Sequence, residues 1–136
     1  MSIPALEGLN GPFRFAAADW SAVPDAPGVY VIQDQDEVIY VGMAGRDKKG
    51  SLRRRLRDHS SGQVVNMFAQ YLFLARVQFQ AEERITHPVA AKSACQAYIK
   101  NRCSFLFRQV ATPAEARALE TALKRSLRPA LNALRE

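Results

Sequence analysis

Residues 27–46 read PGVYVIQDQDEVIYVGMAGR. Two short runs rich in Val, Ile and Tyr, GVYVIQ (28–33) and EVIYVG (37–42), flank the polar DQD. That is the composition of two strands joined by a hairpin loop. Each run carries one tyrosine, Tyr30 and Tyr40, with nine residues between them. In a loop centred on Gln35 the tyrosines lie directly opposite each other and project from one face. A two-residue turn at Gln35-Asp36 shifts the register by one and sends them to opposite faces. The residues themselves leave both registers open.

Around this hairpin the chain has 136 residues, the length of one ordinary domain. Its 48 % hydrophobic content is that of a globular protein. A net charge of +6 and a pI near 9.7 point to a polyanionic partner, nucleic acid before an acidic membrane surface, although a merely basic soluble protein has the same balance. Cys95 and Cys103 have neither a zinc spacing nor the pattern of a secreted disulfide framework and are read as reduced thiols. The start, MSIPALEGLN, lacks the basic and apolar regions of a signal peptide. No apolar run approaches the roughly 18 residues of a membrane span. A cytoplasmic protein without a membrane association is expected.

Pro4, Gly8, Gly11, Pro12, Pro24 and Pro27 make residues 1–26 an irregular arm with at most a short helical turn. After the hairpin, GSLRRRLRDHS (50–60) reads as a helix capped by Ser51. QVVNMFAQYLFLARVQF (63–79) is ambiguous and is read as helix then strand. Residues 89–101 read as a helix and CSFLFRQV (103–110) as a strand. Thr112-Pro113-Ala114-Glu115 is a capping box with proline at the first helical position. The helix it opens runs to about Leu127, stops before Pro129, and has Leu119, Ala122, Leu123, Ser126 and Leu127 as its expected buried stripe. The pattern is an α/β domain of the α+β type. A small, mainly antiparallel sheet of about three strands is flanked by helices.

Within that frame few groups can do chemistry. Leu52 and Leu56 place one side of the basic helix in the core, and Arg55 and His59, also four apart, share the adjacent face. A solvated basic face is the plain alternative. The loop GMAGRDKKGS (42–51) has backbone amides and a helix start suited to phosphate, but the lysine that a P-loop places between its last glycine and the serine is missing before Ser51. A nucleotide triphosphatase is disfavoured on that ground. Glu120 borders the buried stripe and lies four residues before Lys124, so an exposed ion pair is its plain reading. Asn132 follows Pro129 near the chain end.

Taken in order, these residues resemble the GIY-YIG nuclease family. Gly28-Val29-Tyr30 and Tyr40-Val41-Gly42 stand for its two motifs, with valine in place of isoleucine in both. Leu52-Arg53-Arg54-Arg55-Leu56 matches its helix arginine at Arg55, and His59 follows one turn later. Glu120, Pro129 and Asn132 match its late glutamate, proline and asparagine. The resemblance covers residues 26 to 134 and treats 27–136 as the catalytic domain, with an insertion at about 62–102.

The resemblance implies a DNA endonuclease that uses one divalent cation, Mg2+ or Mn2+, held by Glu120. It also implies that both phenols face one site, which favours the register centred on Gln35. Arg55 would neutralise the scissile phosphate, Asn132 would position the site, and Tyr30, Tyr40 or His59 would serve as base. Arg46, Lys48, Lys49, Arg53, Arg54 and Arg57 cluster around the loop and helix after Tyr40 and are expected to meet the DNA backbone. A structure-directed or weakly specific repair or recombination nuclease is expected. A DNA-binding module that does not cut and a compact restriction-type enzyme are the alternatives.

Overall fold

The computed structural model describes residues 6–45, 50–61 and 88–129, with the backbone alone for 88–93. Strand β1 is Asn10–Arg14, β2 Gly28–Asp34, β3 Glu37–Ala44 and β4 Cys103–Gln109; helix α1 is Leu52–Ser60, α2 Pro88–Arg102 and α3 Pro113–Leu127. The strands form one antiparallel sheet in the order β1-β4-β2-β3. The class is α+β as expected. The fourth strand comes from the proline-rich arm, where Asn10–Arg14 pairs with β4 at the sheet edge. Its proline and glycine, which argue against a central strand, are tolerated at an edge.

The hairpin follows neither of the two simple registers. Asp34 pairs with Glu37, so the turn is the two-residue one, Gln35-Asp36. Gln35 adopts φ 56°, the left-handed conformation such a turn needs. Between the pairs Gln33–Val38 and Ile32–Tyr40 the register slips by one residue. Ile39 is the extra residue of this β-bulge, and Tyr30 ends up opposite Gly42. The expectation that Tyr30 lies opposite Tyr40 is therefore corrected. So is the inference that a two-residue turn separates the phenols, because the bulge restores the phase that the turn removes. The ring centroids of Tyr30 and Tyr40 are 6.3 Å apart.

The glycine of the second motif follows from this pairing. The Tyr30 ring lies across Gly42, where an added Cβ would stand 2.5 Å from Cζ of the phenol. A side chain there would expel the ring.

Apolar residues alternate along the strands and divide the core in two. On one face Tyr30, Ile32, Ile39, Phe105 and Phe107 pack with Leu52 and Leu56 of α1 and Ile99 of α2. On the other, Val29, Val31, Val41, Met43 and Leu106 pack with Ala116 and Leu123 of α3. The aromatic face continues to the edge of the sheet through Phe15, Trp20 and the exposed Phe13.

Both caps form. The Ser51 hydroxyl accepts from the Arg54 amide at 3.1 Å, and the Thr112 hydroxyl accepts from the Glu115 amide at 3.2 Å. Glu115 reaches back to the Ala111 amide. The proline-bearing strap at 24–27 is also a structural part. Its carbonyls at Ala26 and Pro24 accept from the amides of Leu52 and Arg53, and that of Pro27 accepts from Val110. Two of the orphan amides at the start of α1 are satisfied in this way. The buried stripe of α3 is rotated from the expected one. Ala116, Glu120 and Leu123 are buried, while Ala122 and Ser126 are exposed. Of the 62–102 segment, residues 88–102 form α2, with Cys95 and Ile99 in the core; its remainder, including the expected helix and strand at 63–79, lies outside the described residues.

A candidate active site at one end of the hairpin

Three elements bring their polar side chains to the Tyr30 phenol. From β2, Tyr30 is buried to 1 % exposure. From α1, His59 is buried with Nε2 2.6 Å from the Tyr30 hydroxyl. One turn earlier on the same helix, Arg55 is exposed at the surface and hydrogen-bonds the same phenol. Tyr40 is half-buried, with its ring 5.8 Å from that of His59. The helical spacing of Arg55 and His59 makes this convergence possible, since Leu52 and Leu56 anchor the neighbouring face of α1.

Burial pushes the Tyr30 phenol far above the ordinary tyrosine range, and Tyr40 pushes it further. Arg55 pulls it down, and Glu120 pushes it up. A phenol so biased keeps its proton. Its hydroxyl is hydrogen-bonded to Nε2 of His59 and lies beside the Arg55 guanidinium. Tyr30 thereby joins its two neighbours on α1.

Glu120 arrives from α3, the helix on the other face of the sheet, yet its charge reaches Tyr30. Its exposure is 8 %, so the plain reading as a solvated surface carboxylate fails. The expected pair with Lys124 does exist, with Nζ 3.6 Å from Oε1. Among the described residues no group of three His, Cys, Asp or Glu side chains comes together. One buried carboxylate suits a hard cation such as Mg2+, which keeps several waters and takes oxygen ligands from its substrate.

The expected DNA-contacting residues divide three ways. Arg54 and Arg57 are exposed on α1. Arg53 is half-buried and donates Nε to the Val23 carbonyl at 2.9 Å. Arg46, Lys48 and Lys49 lie outside the described residues, as does Asn132.

In the sequence Asp34 reads as a turn residue of the hairpin with no part in a site. Asp34 is buried at the tip of β2, where its carboxylate accepts from the Tyr98 hydroxyl and, at 2.9 Å, from Arg102 Nε. The Gln35 amide donates to the Arg102 carbonyl. The hairpin that carries both phenols is thereby fastened to the end of α2. The signal was an aspartate ending an apolar strand, but its partners stand 64 and 68 residues away.

No family model matches the chain. UvrABC system protein C of Caulobacter vibrioides is 30% identical over 141 residues, which take in 96% of this chain and 17% of that protein. The match therefore runs through nearly all of this chain. The chain is GIY-YIG-like.

Solved structures similar to this GIY-YIG-like chain include the GIY-YIG N-terminal endonuclease domain of UvrC from Thermotoga maritima bound to magnesium. That domain is 20% identical with a TM-score of 0.43, covering 82% of this chain and 89% of that one. A point mutant of the same domain bound to its catalytic divalent cation is 21% identical at a TM-score of 0.43, covering 82% and 88%. The GIY-YIG-like chain spans about a sixth of the length of the curated relative it matches. No helix among its described residues is long and apolar enough to cross a membrane.

Proposed function

We propose that the chain is a divalent-metal-dependent endonuclease that hydrolyses DNA phosphodiester bonds in repair or recombination, directed by DNA structure more than by sequence. The observation that carries the reading is the convergence of Tyr30, Tyr40, Arg55 and His59 within the electrostatic reach of a buried glutamate. The likeness to a UvrABC system protein supports a repair setting. Residues 27–136 act as one catalytic domain in this reading.

Glu120 would hold the cation, Mg2+ or Mn2+. When bound there, the cation would supply charge relief on the phosphate and on the leaving oxygen. The chain's own residues do the rest. Arg55, exposed at one end and anchored on Tyr30 at the other, neutralises the scissile phosphate. Tyr30 is a positioning residue, because its proton stays on the phenol between Arg55 and His59. Tyr40, half-buried at the rim, orients the attacking water and takes its proton. An ordinary phenol near pKa 10 is a poor base at neutral pH, so Tyr40 takes the proton only as its phenolate. Asn132 positions the site. Arg54 and Arg57 meet the DNA backbone, with Arg46, Lys48, Lys49 and Arg53 extending that surface.

The test is nicking of a supercoiled plasmid in magnesium and in EDTA by the wild type and Glu120→Gln. Nicking is expected only for the wild type in magnesium, with the variant reduced by more than about 100-fold, since loss of mere support around a metal ligand already costs about 10–100-fold. DNA binding should persist in the variant. Wild-type nicking by Glu120→Gln would sink the mechanism. Binding without any nicking by the wild type would favour a DNA-binding module.

A further inference from the structure

We infer that Lys124 is a resident counter-cation of the Glu120 site, which offsets the charge of the buried carboxylate until a divalent cation takes its place. The inference rests on the reading of Glu120 as the metal ligand.

Three observations support it. The carboxylate is buried, and an ionised carboxylate out of water is costly unless a positive charge compensates it. Lys124, one helical turn away on α3, is the cation beside it, and its side chain is 31% exposed against 10% for that of Glu120. The separation of 3.6 Å lies beyond hydrogen-bond length, so the ammonium compensates charge without locking an oxygen. A loosely held ammonium on a flexible, partly solvated stem can withdraw to solvent at the cost of its own short-range attraction. An arriving cation must displace that attraction or accept the repulsion of the ammonium. Lys124 thus lowers the affinity of the site for metal while keeping the empty site folded.

The measurement is Mn2+ binding to the full chain, followed by the spin resonance of the free ion, with no DNA present. Lys124→Met should bind Mn2+ roughly tenfold more tightly, the scale on which a neighbouring charge at this range shifts an ionic equilibrium. Lys124→Arg, which keeps the charge, should bind as the wild type does. Without metal, Lys124→Met should melt at a lower temperature than the wild type, and Mn2+ should raise its melting temperature further than it raises that of the wild type. If the methionine variant does not fold, Lys124→Gln serves for the same comparison. Wild-type or weaker Mn2+ affinity in the folded neutral variant overturns the inference. Retained Mn2+ binding in Glu120→Gln overturns the Glu120 reading itself, a failure visible separately from that of Lys124.

Discussion

Behind the sheet, Val29, Val31, Val41, Met43 and Leu106 meet α3 through Ala116 and Leu123. In front, Tyr30 and His59 are as deeply buried, but each carries a polar atom that must be satisfied where it lies. The back face is held by apolar packing, so a truncation there costs stability without stranding a polar partner. The front face adds to its apolar packing polar groups held by partners, so removing one of these strands another. Glu120 is the exception that joins them, since it sits on the helix of the back face and its charge bears on Tyr30 of the front. The contrast separates stability from function by side of the sheet, and it can be broken experimentally.

The largest effect should come from Leu106→Ala, as a loss of stability alone. Truncating a buried leucine costs about 2–5 kcal/mol, while the nicking rate per folded molecule should not change below the melting transition. A nicking rate that falls with stability would show that the two faces are coupled. Tyr40→Phe should behave in the opposite way, with unfolding in urea shifted by less than about 1 kcal/mol and nicking reduced roughly 100-fold, within the range typical of a lost acid–base group. Wild-type nicking by that variant would return Tyr40 to the core as a packing residue.

The smallest effect is expected at the Asp34 clamp. Burial first, and then the Asp34 carboxylate that it bonds, push Tyr98 up to about 12. The folded value lies above the unfolded value of about 10. The folded state therefore holds this proton more tightly. The resulting stabilisation is complete below about pH 10 and is lost as the pH rises toward 12. Tyr98→Phe should cost about 1 kcal/mol at neutral pH and should flatten the alkaline decline in stability above pH 10. Urea unfolding at a series of pH values measures both. An alkaline limb identical to that of the wild type would mean that Tyr98 is not the group responsible.

Much of this architecture is local and therefore legible in the sequence. Ser51 and Thr112 announce helix starts because a cap needs only its own next three residues. The Val, Ile and Tyr runs mark β2 and β3 for the same reason. What stayed hidden depends on distant partners. The bulge at Ile39 is decided by the fit of both faces of β3 against two different cores, which no stretch of nine residues encodes. The pairing of β1 depends on Ser104, Phe105 and Phe107. Of the candidate site, the spacing of Arg55 and His59 was readable on the helix, whereas the burial of Glu120 appears only once α3 is rotated against the sheet. The exposed Ala122 and Ser126 are the other side of that rotation.

The bulge also bears on how the hairpin tolerates insertions and deletions. Tyr40 pairs with Ile32, and Ile39 is the extra residue between that pair and Gln33–Val38. A chain lacking Ile39 could keep the same two-residue turn, the same partner for the tyrosine and the same face, losing only the packing of one isoleucine. Insertion of a residue into a hairpin normally inverts everything beyond it, as a shifted reading frame does, and here the second irregularity restores the frame. The interval between the two tyrosines along the chain is therefore a poor ruler for their geometry. Hairpins with one fewer intervening residue would present the same pair of phenols, and the conserved quantity is parity, set jointly by turn and bulge.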